Sequence, residues 1–250
     1  MTSINGFRLV GDLTHFMAIV VLMWKIWETQ SCIGISGRTQ VLYAFVFIAR
    51  YMDLVSNFVS VYNTSLKIIY ILATLGTIGL MFKTRATYDN KNDTFRAEIL
   101  IVLALLLALS TAFSYEFLDI MWTFSIYLEA VALLPQFYMI NKIGQIESIT
   151  AFYVFALGAY RALYIFNWIY RFYFEGFYDM NSVIGGSIQT LCFCGFFCGY
   201  QFKNSTILRL PTEILIAEKN PGSELAEEKG SEARVALENA PAKNPESPRI

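Results

Sequence analysis

Seven apolar stretches run along this chain, and each is close to the length that crosses a lipid bilayer as a helix. A transmembrane helix needs roughly 17–25 residues to span about 30 Å of hydrocarbon. Hydrophobic residues make up 56% of the 250 residues and charged residues only 16%, below the ~25% usual in soluble domains. The pattern predicts an all-α integral membrane protein. The predicted spans are residues 7–27, 36–56, 60–82, 97–114, 117–140, 148–172 and 180–202.

The positions of Lys and Arg predict the orientation of these spans, because cytosolic loops carry an excess of positive charge. With the N-terminus outside the cytosol, the cytosolic side receives nine basic residues: Lys25, Arg38, Lys83, Arg85, Lys91, Arg96, Lys142, Lys203 and Arg209. The opposite side receives Arg8, Lys67 and Arg171. We therefore expect a luminal N-terminus and a cytosolic C-terminus. No cleavable signal peptide is evident, so the first span is expected to act as its own signal.

A weak internal repeat suggests how the seven helices are organised. A shift of 111 positions brings Ile35, Thr39 and Arg50 onto Ile146, Thr150 and Arg161, which is notable because arginine is rare inside membranes. We predict two three-helix bundles joined by the fourth helix as a linker, a parallel repeat of the SWEET and PQ-loop type. Pro135 within the fifth span predicts a kink. The seven-helix domain is expected over residues 1–203. The cytosolic tail covers 204–250 and is expected to be largely disordered from about residue 211.

Polar side chains recur at helical spacing inside four of the spans. Residues at i, i+3 or i+4, i+7 and i+10 share one helix face. Charged faces exposed to lipid would be prohibitively costly, so these faces are expected to converge on a protein-lined cavity. The four stripes are Arg8, Asp12 and His15; Arg50, Asp53 and Asn57; Asp119, Trp122, Ile126 and Glu129; and Arg161, Tyr164, Trp168 and Arg171.

Two interpretations of these stripes remain open on the residues alone. In the first, the arginines pair with the acidic residues and hold the bundle together, although buried ion pairs contribute little net stability. In the second, they line a binding cavity. Arginine binds carboxylates bidentately, and acidic and aromatic residues bind cations, so a zwitterionic, peptide-like ligand is expected. His15 is the sole histidine; it is either a packed core residue or a pH switch, given an unperturbed pKa of about 6.5.

Other chemistries have little support in the sequence. A net charge of −1 gives no sign of nucleic-acid binding. No phosphate loop, catalytic triad or metal-ligand cluster stands out, so we expect no enzyme, cofactor or metal. Cys192, Cys194 and Cys198 have no interleaved His or carboxylate, and the sequence leaves their acylation open.

Several sequence blocks between about residues 7 and 180 resemble those of a known family and occur in the same order as in that family. They are FRLVGDLTH, WKIWETQSCIGISGRTQ, ARYMDL, YNTS, ATYDNKNDTFR, WTFSIYLEAVALLPQ and YRALYIFNWIYRFYFEGFYD. With these blocks the chain resembles the KDEL receptors, the ER lumen protein-retaining receptors. The resemblance implies a multi-pass protein of the endoplasmic reticulum and cis-Golgi. It would bind C-terminal KDEL/HDEL-type signals of escaped luminal proteins at mildly acidic pH, return in COPI vesicles, and release them at neutral pH.

The resemblance also implies roles for individual residues. Arg8, Arg50, Tyr51 and Arg171 would bind the carboxylates of the signal. Asp53, Asp119 and Trp122 would face its basic first residue. His15 would be the pH trigger of an internal network that includes Asp12, Glu129, Tyr160 and Arg161. The remaining residues implied to line or support the site are Asn57, Tyr164, Asn167, Trp168 and Asp179.

The chain departs from the family pattern at four places. Asp119 stands where many members have Glu, and Asn57 where many have Ser. Gly195 stands where members often have an Asp linked to retrograde transport, and the lysine-rich tail is reduced to Lys203 and Arg209. The alternatives to a recycling receptor are a SWEET-like or PQ-loop transporter of a small anionic or zwitterionic solute, and a family member that binds signals without recycling.

Overall fold

A computed structural model of the chain describes residues 5–54 and 60–203, and side chains up to Gly199. Within these residues the regular structure is entirely helical. Short 3-10 turns cover Met52–Leu54 and Arg85–Thr87. The eight α-helices are α1 Gly6–Thr29, α2 Gly37–Arg50, α3 Val61–Lys83, α4 Ala97–Thr111, α5 Phe117–Val131, α6 Leu134–Ile143, α7 Ser148–Glu175 and α8 Met180–Lys203.

Several of these helices are long and apolar enough to cross a membrane. Within the described residues, five helical stretches meet both criteria: α1, α3, α5 with α6, α7, and α8 as far as Gly199. The α4 helix is apolar but shorter, at 15 residues. The predicted membrane protein built only of helices is therefore supported, while the seven-span layout stays a prediction.

The fifth predicted span, residues 117–140, lies within one apolar stretch, Phe117–Ile143, with a helix break just before Pro135. A proline inside a helix has no N–H to donate and its ring crowds the preceding turn. The expected interruption is therefore present, and it separates α5 from α6.

The prediction of one helix over residues 36–56 is wrong at its C-terminal end. The α2 helix ends at Arg50, where the backbone N–H of Tyr51 still binds the carbonyl of Phe47 at 3.0 Å, and the chain turns into the 3-10 segment. Arg50 and Asp53 therefore do not share the face of a continuous α-helix. Asn57, the third member of that predicted stripe, lies outside the described residues.

Polar side chains fix where three helices begin. Asn5, Ser36 and Ser60 each accept a hydrogen bond from the backbone N–H three residues later, at 2.8, 3.2 and 3.2 Å, at the starts of α1, α2 and α3. Such N-caps satisfy backbone donors that have no partner within the helix.

The helices pack in pairs that correspond under the 111-residue shift. The α1 helix lies along α7 and packs on α3, while α5 packs in the same way on α2 and α8. The α2–α3 and α7–α8 contacts also correspond, and α4 lies against α5. These pairings bring residues far apart in the sequence into the interior between α1, α2, α5 and α7.

Two polar contacts repeat this correspondence near the C-terminal end of α1. Lys25 Nζ donates to Thr150 Oγ1 at 2.9 Å, and the backbone N–H of Gln136 donates to Thr39 Oγ1 at 3.0 Å. Lys25 and Gln136 are 111 positions apart, as are the two threonines. Lys25 is buried and also pairs with Glu147.

A buried carboxylate in the segment between α3 and α4 holds that segment against the start of α2. Asp93 is fully buried and accepts hydrogen bonds from Ser36 Oγ at 2.9 Å, the backbone N–H of Arg38 at 3.2 Å and Tyr88 OH at 2.5 Å. Burial, followed by the bond to Asp93, raises the pKa of Tyr88, so this hydroxyl remains a donor at physiological pH. The start of α2 and this segment are thereby held together.

Candidate functional site

A buried cluster of opposite charges lies where α2, α5 and α7 meet. Arg50 Nη1 lies 2.5 Å from Glu129 Oε2, and Arg161 Nη2 lies 2.7 Å from Glu129 Oε1. The Glu129 side chain is 3% exposed, whereas that of Arg50 is 20% exposed. Two guanidinium groups therefore share one carboxylate, which leaves the cluster with an excess of positive charge.

Hydroxyl groups complete the coordination of this cluster. Tyr160 OH donates to Glu129 Oε1 and accepts a hydrogen bond from Arg161 Nη2 at 2.9 Å. Arg50 Nε donates to Ser125 Oγ at 3.1 Å. Arg161 Nε is buried and has no hydrogen-bond partner within the described part of the chain. An unpaired donor in a low-dielectric interior is costly, so the cluster retains capacity for another acceptor.

His15 packs directly against the cluster. Its ring stacks on that of Tyr160, with centroids 4.1 Å apart and 3° between the planes, and it also contacts Tyr70 and Phe47. His15 is 7% exposed, and Nε2 has no hydrogen-bond partner among the described residues. A proton gained by this imidazole would add positive charge next to Tyr160, Glu129 and Arg161.

A second acidic residue, Asp12, is held by tyrosines one turn before His15 in α1. Tyr164 OH donates to Asp12 Oδ1, and Tyr62 OH to Asp12 Oδ2 at 3.3 Å. Tyr70 OH binds the Asp12 carbonyl at 2.8 Å, and Arg8 Nε lies 3.8 Å from the carboxylate. Tyr164 contacts the Tyr160 ring edge-on, so Asp12 and the Glu129 cluster form one connected network.

Asp53 is bound by Lys67, which was not among the predicted site residues. Lys67 Nζ in α3 donates to both Asp53 oxygens, at 2.7 and 2.8 Å, and lies 6.0 Å from the centre of the Tyr51 ring. Lys67 is buried within a span of high hydropathy. The sequence signal for Lys67 was a basic residue inside an apolar span, because ionisable residues within membranes are functional candidates by default.

Three other predicted residues have local contacts in this structure. Asp119 Oδ2 accepts a hydrogen bond from the backbone N–H of Ser114 at 2.6 Å, at the start of α5. Arg171 Nε pairs with Glu175 Oε2 at 2.9 Å and its guanidinium lies 3.8 Å from the Phe177 ring centre. The carbonyl of Asp179 accepts a hydrogen bond from the backbone N–H of Val183, in the first turn of α8.

The aromatic and amide residues predicted to line the site make contacts on two helices, α5 and α7. The Trp168 ring contacts the Tyr164 ring edge-on, with centroids 6.2 Å apart. The backbone carbonyl of Trp122 accepts a hydrogen bond from the Ser125 hydroxyl at 2.6 Å. Asn167 is buried and accepts a hydrogen bond from Asn5 Nδ2 at 2.7 Å. These contacts connect Trp168 with the Asp12 network and Trp122 with the Arg50 side of the Glu129 cluster.

The residues expected to support recycling lie near or beyond the end of the described chain. Gly195 is on an exposed part of α8. Lys203 ends α8 but its side chain is not described, and Arg209 lies outside the described residues. Across residues 5–54 and 60–203, no group of three or more His, Cys, Asp and Glu side chains is arranged to hold a metal ion.

A helical fold with several membrane-length apolar helices around a buried charge cluster defines a multi-pass membrane protein. A family model described as "ER lumen protein retaining receptor" matches residues 31–171. The chain is 54% identical over 200 residues to "ER lumen protein-retaining receptor 2" of Danio rerio, which covers 80% of this chain and 94% of the relative. For the protein of the same name from Homo sapiens, the identity is 53% over the same coverage.

A relative from Caenorhabditis elegans, "ER lumen protein-retaining receptor erd-2.1", is 53% identical over 197 residues, covering 78% of this chain and 92% of the relative. The chain belongs to the ER lumen protein-retaining receptor family. The resemblance predicted from the sequence blocks is confirmed, and family members are receptors rather than enzymes.

Proposed function

We propose that this chain is a sorting receptor that binds the C-terminal KDEL/HDEL-type signal of escaped luminal proteins and returns them to the endoplasmic reticulum. The observation that carries the proposal is the shared carboxylate of Glu129, which leaves two arginines with one internal anion. A signal of this type brings two side-chain carboxylates and a terminal carboxylate. Arginine is the residue best suited to bind such groups in a dry site.

The proposed topology has seven spans, a luminal N-terminus and a cytosolic C-terminus. It is supported by the excess of Lys and Arg in the segments on the proposed cytosolic side. In this topology Arg8, Asp53, Asp119 and Arg171 lie towards the lumen, where a signal would enter. The corresponding packing of α1–α3 and α5–α8 supports two three-helix bundles joined by α4, over a domain of residues 1–203 followed by a cytosolic tail.

Within this site Arg8, Arg50, Tyr51 and Arg171 bind the carboxylates of the signal. Asp53, Asp119 and Trp122 face its basic first residue. Arg171 and Asp53 already pair with Glu175 and Lys67, so the signal has to compete with an internal partner at both positions. Competition of this kind lowers affinity for peptides that do not replace both contacts at once, and so favours the complete signal.

We infer that His15 makes binding depend on pH. The unperturbed pKa of histidine is about 6.5, so a mildly acidic Golgi lumen favours its charged form more than the neutral ER does. A charged His15 stacked on Tyr160 strengthens the attraction of this region for Glu129. Rearrangement of Glu129 then makes Arg50 available to a carboxylate of the signal, which is bound at acidic pH and released at neutral pH.

Return transport in COPI vesicles is proposed to use the cytosolic end of α8 and the basic residues that follow it, Lys203 and Arg209. The exposed position of Gly195 supports a surface role for this part of α8. Compartments that fit this cycle are the endoplasmic reticulum, the cis-Golgi and the vesicles between them.

The experiment that tests the proposal measures peptide binding to the purified full-length chain at about pH 5.5 and about pH 7.4, on either side of the ordinary histidine pKa. Peptides end in KDEL or HDEL, and matched peptides carry a C-terminal amide. Binding at acidic pH that disappears with the amide is the expected result. Equal binding of acid and amide contradicts the proposal, and absence of binding at both pH values favours a transported solute.

A further inference from the structure

A cavity lies away from the charge cluster, between α2, α3 and α4. Its volume is about 510 Å³, within the ~300–1,000 Å³ range of small-molecule sites. The walls are apolar and come from the first turns of α2, the last turns of α3 and the start of α4. They include Val41, Leu42, Ile78, Met81, Phe82 and Ile101.

The rim of this cavity carries an excess of positive charge. Arg38, Arg85 and Glu98 are all part of its lining, which therefore contains two guanidinium groups and one carboxylate. Glu98 Oε1 lies 4.0 Å from Arg38 Nη1, and the Glu98 side chain is 79% exposed, so this ion pair is weak. Arg38 Nη1 also donates to the carbonyl of Phe95 at 2.5 Å.

Arg85 is the more available of the two arginines. It lies two residues after the end of α3, in the 3-10 turn Arg85–Thr87, and it is exposed. Its guanidinium lies 5.3 Å from the centre of the Phe82 ring, and within the described part of the chain it has no ion pair. Stacking on an aromatic ring orients a guanidinium while leaving its N–H donors available.

Hydrogen bonds to Asp93 hold part of the rim in place without a ligand. Tyr88, another lining residue, and the backbone N–H of Arg38 both bind the buried carboxylate of Asp93. Site residues that are already fixed bind with a smaller loss of conformational entropy.

We propose that this cavity binds an anionic phospholipid of the cytosolic leaflet, with one acyl chain against the apolar walls and the phosphate at Arg85 and Arg38. In the proposed topology the rim lies at the cytosolic membrane surface, where the leaflet is rich in anionic lipids, and basic pockets between transmembrane helices bind such headgroups. A zwitterionic lipid can supply the same acyl chain, but it has no net charge, so the excess of positive charge at the rim attracts it less than a lipid with a net negative charge. The charge of the rim therefore selects phosphatidylserine over phosphatidylcholine.

The test measures lipid retained by the full chain after purification in detergent micelles that contain equal amounts of phosphatidylserine and phosphatidylcholine with identical acyl chains. The expected result is about one retained lipid per chain, with phosphatidylserine in about fivefold excess over phosphatidylcholine. A fivefold excess corresponds to the effect of about one basic residue on the binding of an anionic lipid. Arg85→Gln is expected to remove the excess. Ile78→Trp, which fills the cavity, is expected to lower retention of both lipids.

Lys83→Gln is the matched control. Lys83 is two residues from Arg85, but its ammonium lies over the Trp27 ring at 5.4 Å and it is not part of the cavity lining. Retained selectivity in this variant supports the site. Equal retention of the two lipids by the unmodified chain, or equal losses in Lys83→Gln and Arg85→Gln, overturns it. If Ile78→Trp does not fold, Val41→Trp tests the same wall. The assay uses no signal peptide, so its failure leaves the proposed receptor function untouched.

Discussion

Arg50 and Arg161 bind opposite oxygens of a single carboxylate, that of Glu129, at 2.5 and 2.7 Å. The two arginines occupy equivalent positions 111 residues apart, one in α2 and one in α7. The α2 and α7 helices therefore each contribute one guanidinium to the same buried anion. Glu129 in α5 therefore links α2 and α7 through two ion pairs.

Glu129→Gln is expected to destabilise the chain strongly, because the substitution leaves two guanidinium groups without their anion. Breaking a buried pair by removing one partner typically costs about 3–5 kcal/mol. The measurement is thermal unfolding of the purified protein in detergent. Glu98→Gln is the control, since Glu98 is 79% exposed and lies 4.0 Å from Arg38; an exposed pair is worth about 0–1 kcal/mol. Similar shifts in unfolding temperature for both variants would show that the cluster does not hold the helices together.

Arg171→Ala is expected to abolish signal binding without unfolding the chain, because the residue lies near the end of α7 and pairs only locally with Glu175 among the described acidic residues. Glu175→Gln is the matched variant: it removes the internal competitor and keeps the arginine, so signal affinity should stay the same or rise. Peptide binding by isothermal titration checks both. Loss of binding in Glu175→Gln would assign the role to the ion pair rather than to Arg171.

His15→Ala is expected to flatten the dependence of signal binding on pH, since it removes the one imidazole that stacks on Tyr160. Affinity should be measured from about pH 5 to about pH 8, across the ordinary titration of histidine. Tyr43→Phe provides the control, because Tyr43 lies in the same buried cavity as His15 and its hydroxyl also lacks a partner within the described residues. A steep profile retained in His15→Ala would identify another group as the sensor.

Gly186→Ala is expected to lower signal affinity through Trp168. A Cβ at Gly186 would lie 2.1 Å from Trp168 Cη2, so the indole has to move away from its position beside Tyr164. Gly195→Ala is the control in the same helix, because its Cβ would meet no atom within 4 Å. Peptide affinity and the unfolding temperature should be measured for both variants. Unchanged affinity in Gly186→Ala would remove Trp168 from the binding site.

Gly195→Asp is expected to increase return transport, because it restores the acidic residue that the family resemblance places at this position. The exposed helix face has room for the side chain, so no loss of stability is expected beyond helix propensity. The readout is the fraction of a KDEL-tagged reporter secreted by cells that depend on this receptor. Gly199→Asp, one turn later and equally open, controls for added charge. If Gly195→Asp leaves secretion unchanged, Gly195 does not limit recycling.

The membrane class, the family and the five spans that are long apolar helices in the described residues could all be predicted from the sequence. These properties are local: apolar length and motif blocks are read along the chain without knowing what packs against what. The arginine and acidic stripes were visible for the same reason, since their spacing follows from the helix repeat. The charged residues of the Asp12 and Glu129 network, with Tyr160 and Tyr164, were therefore named from the sequence and its resemblance. Tyr62, Tyr70 and Ser125, which hydrogen-bond to them, were not.

The tertiary structure alone decided which partner each charge has. Arg50 and Arg161 share Glu129, Asp53 is bound by Lys67, and Arg171 is bound by Glu175. Equal numbers of arginines and acidic residues in the stripes had suggested separate pairs, but the electrostatic energy of a pair depends on distance and burial. Those quantities depend on how helices distant in the sequence rotate and pack against one another, and the helical periodicity of a single segment contains no information about them.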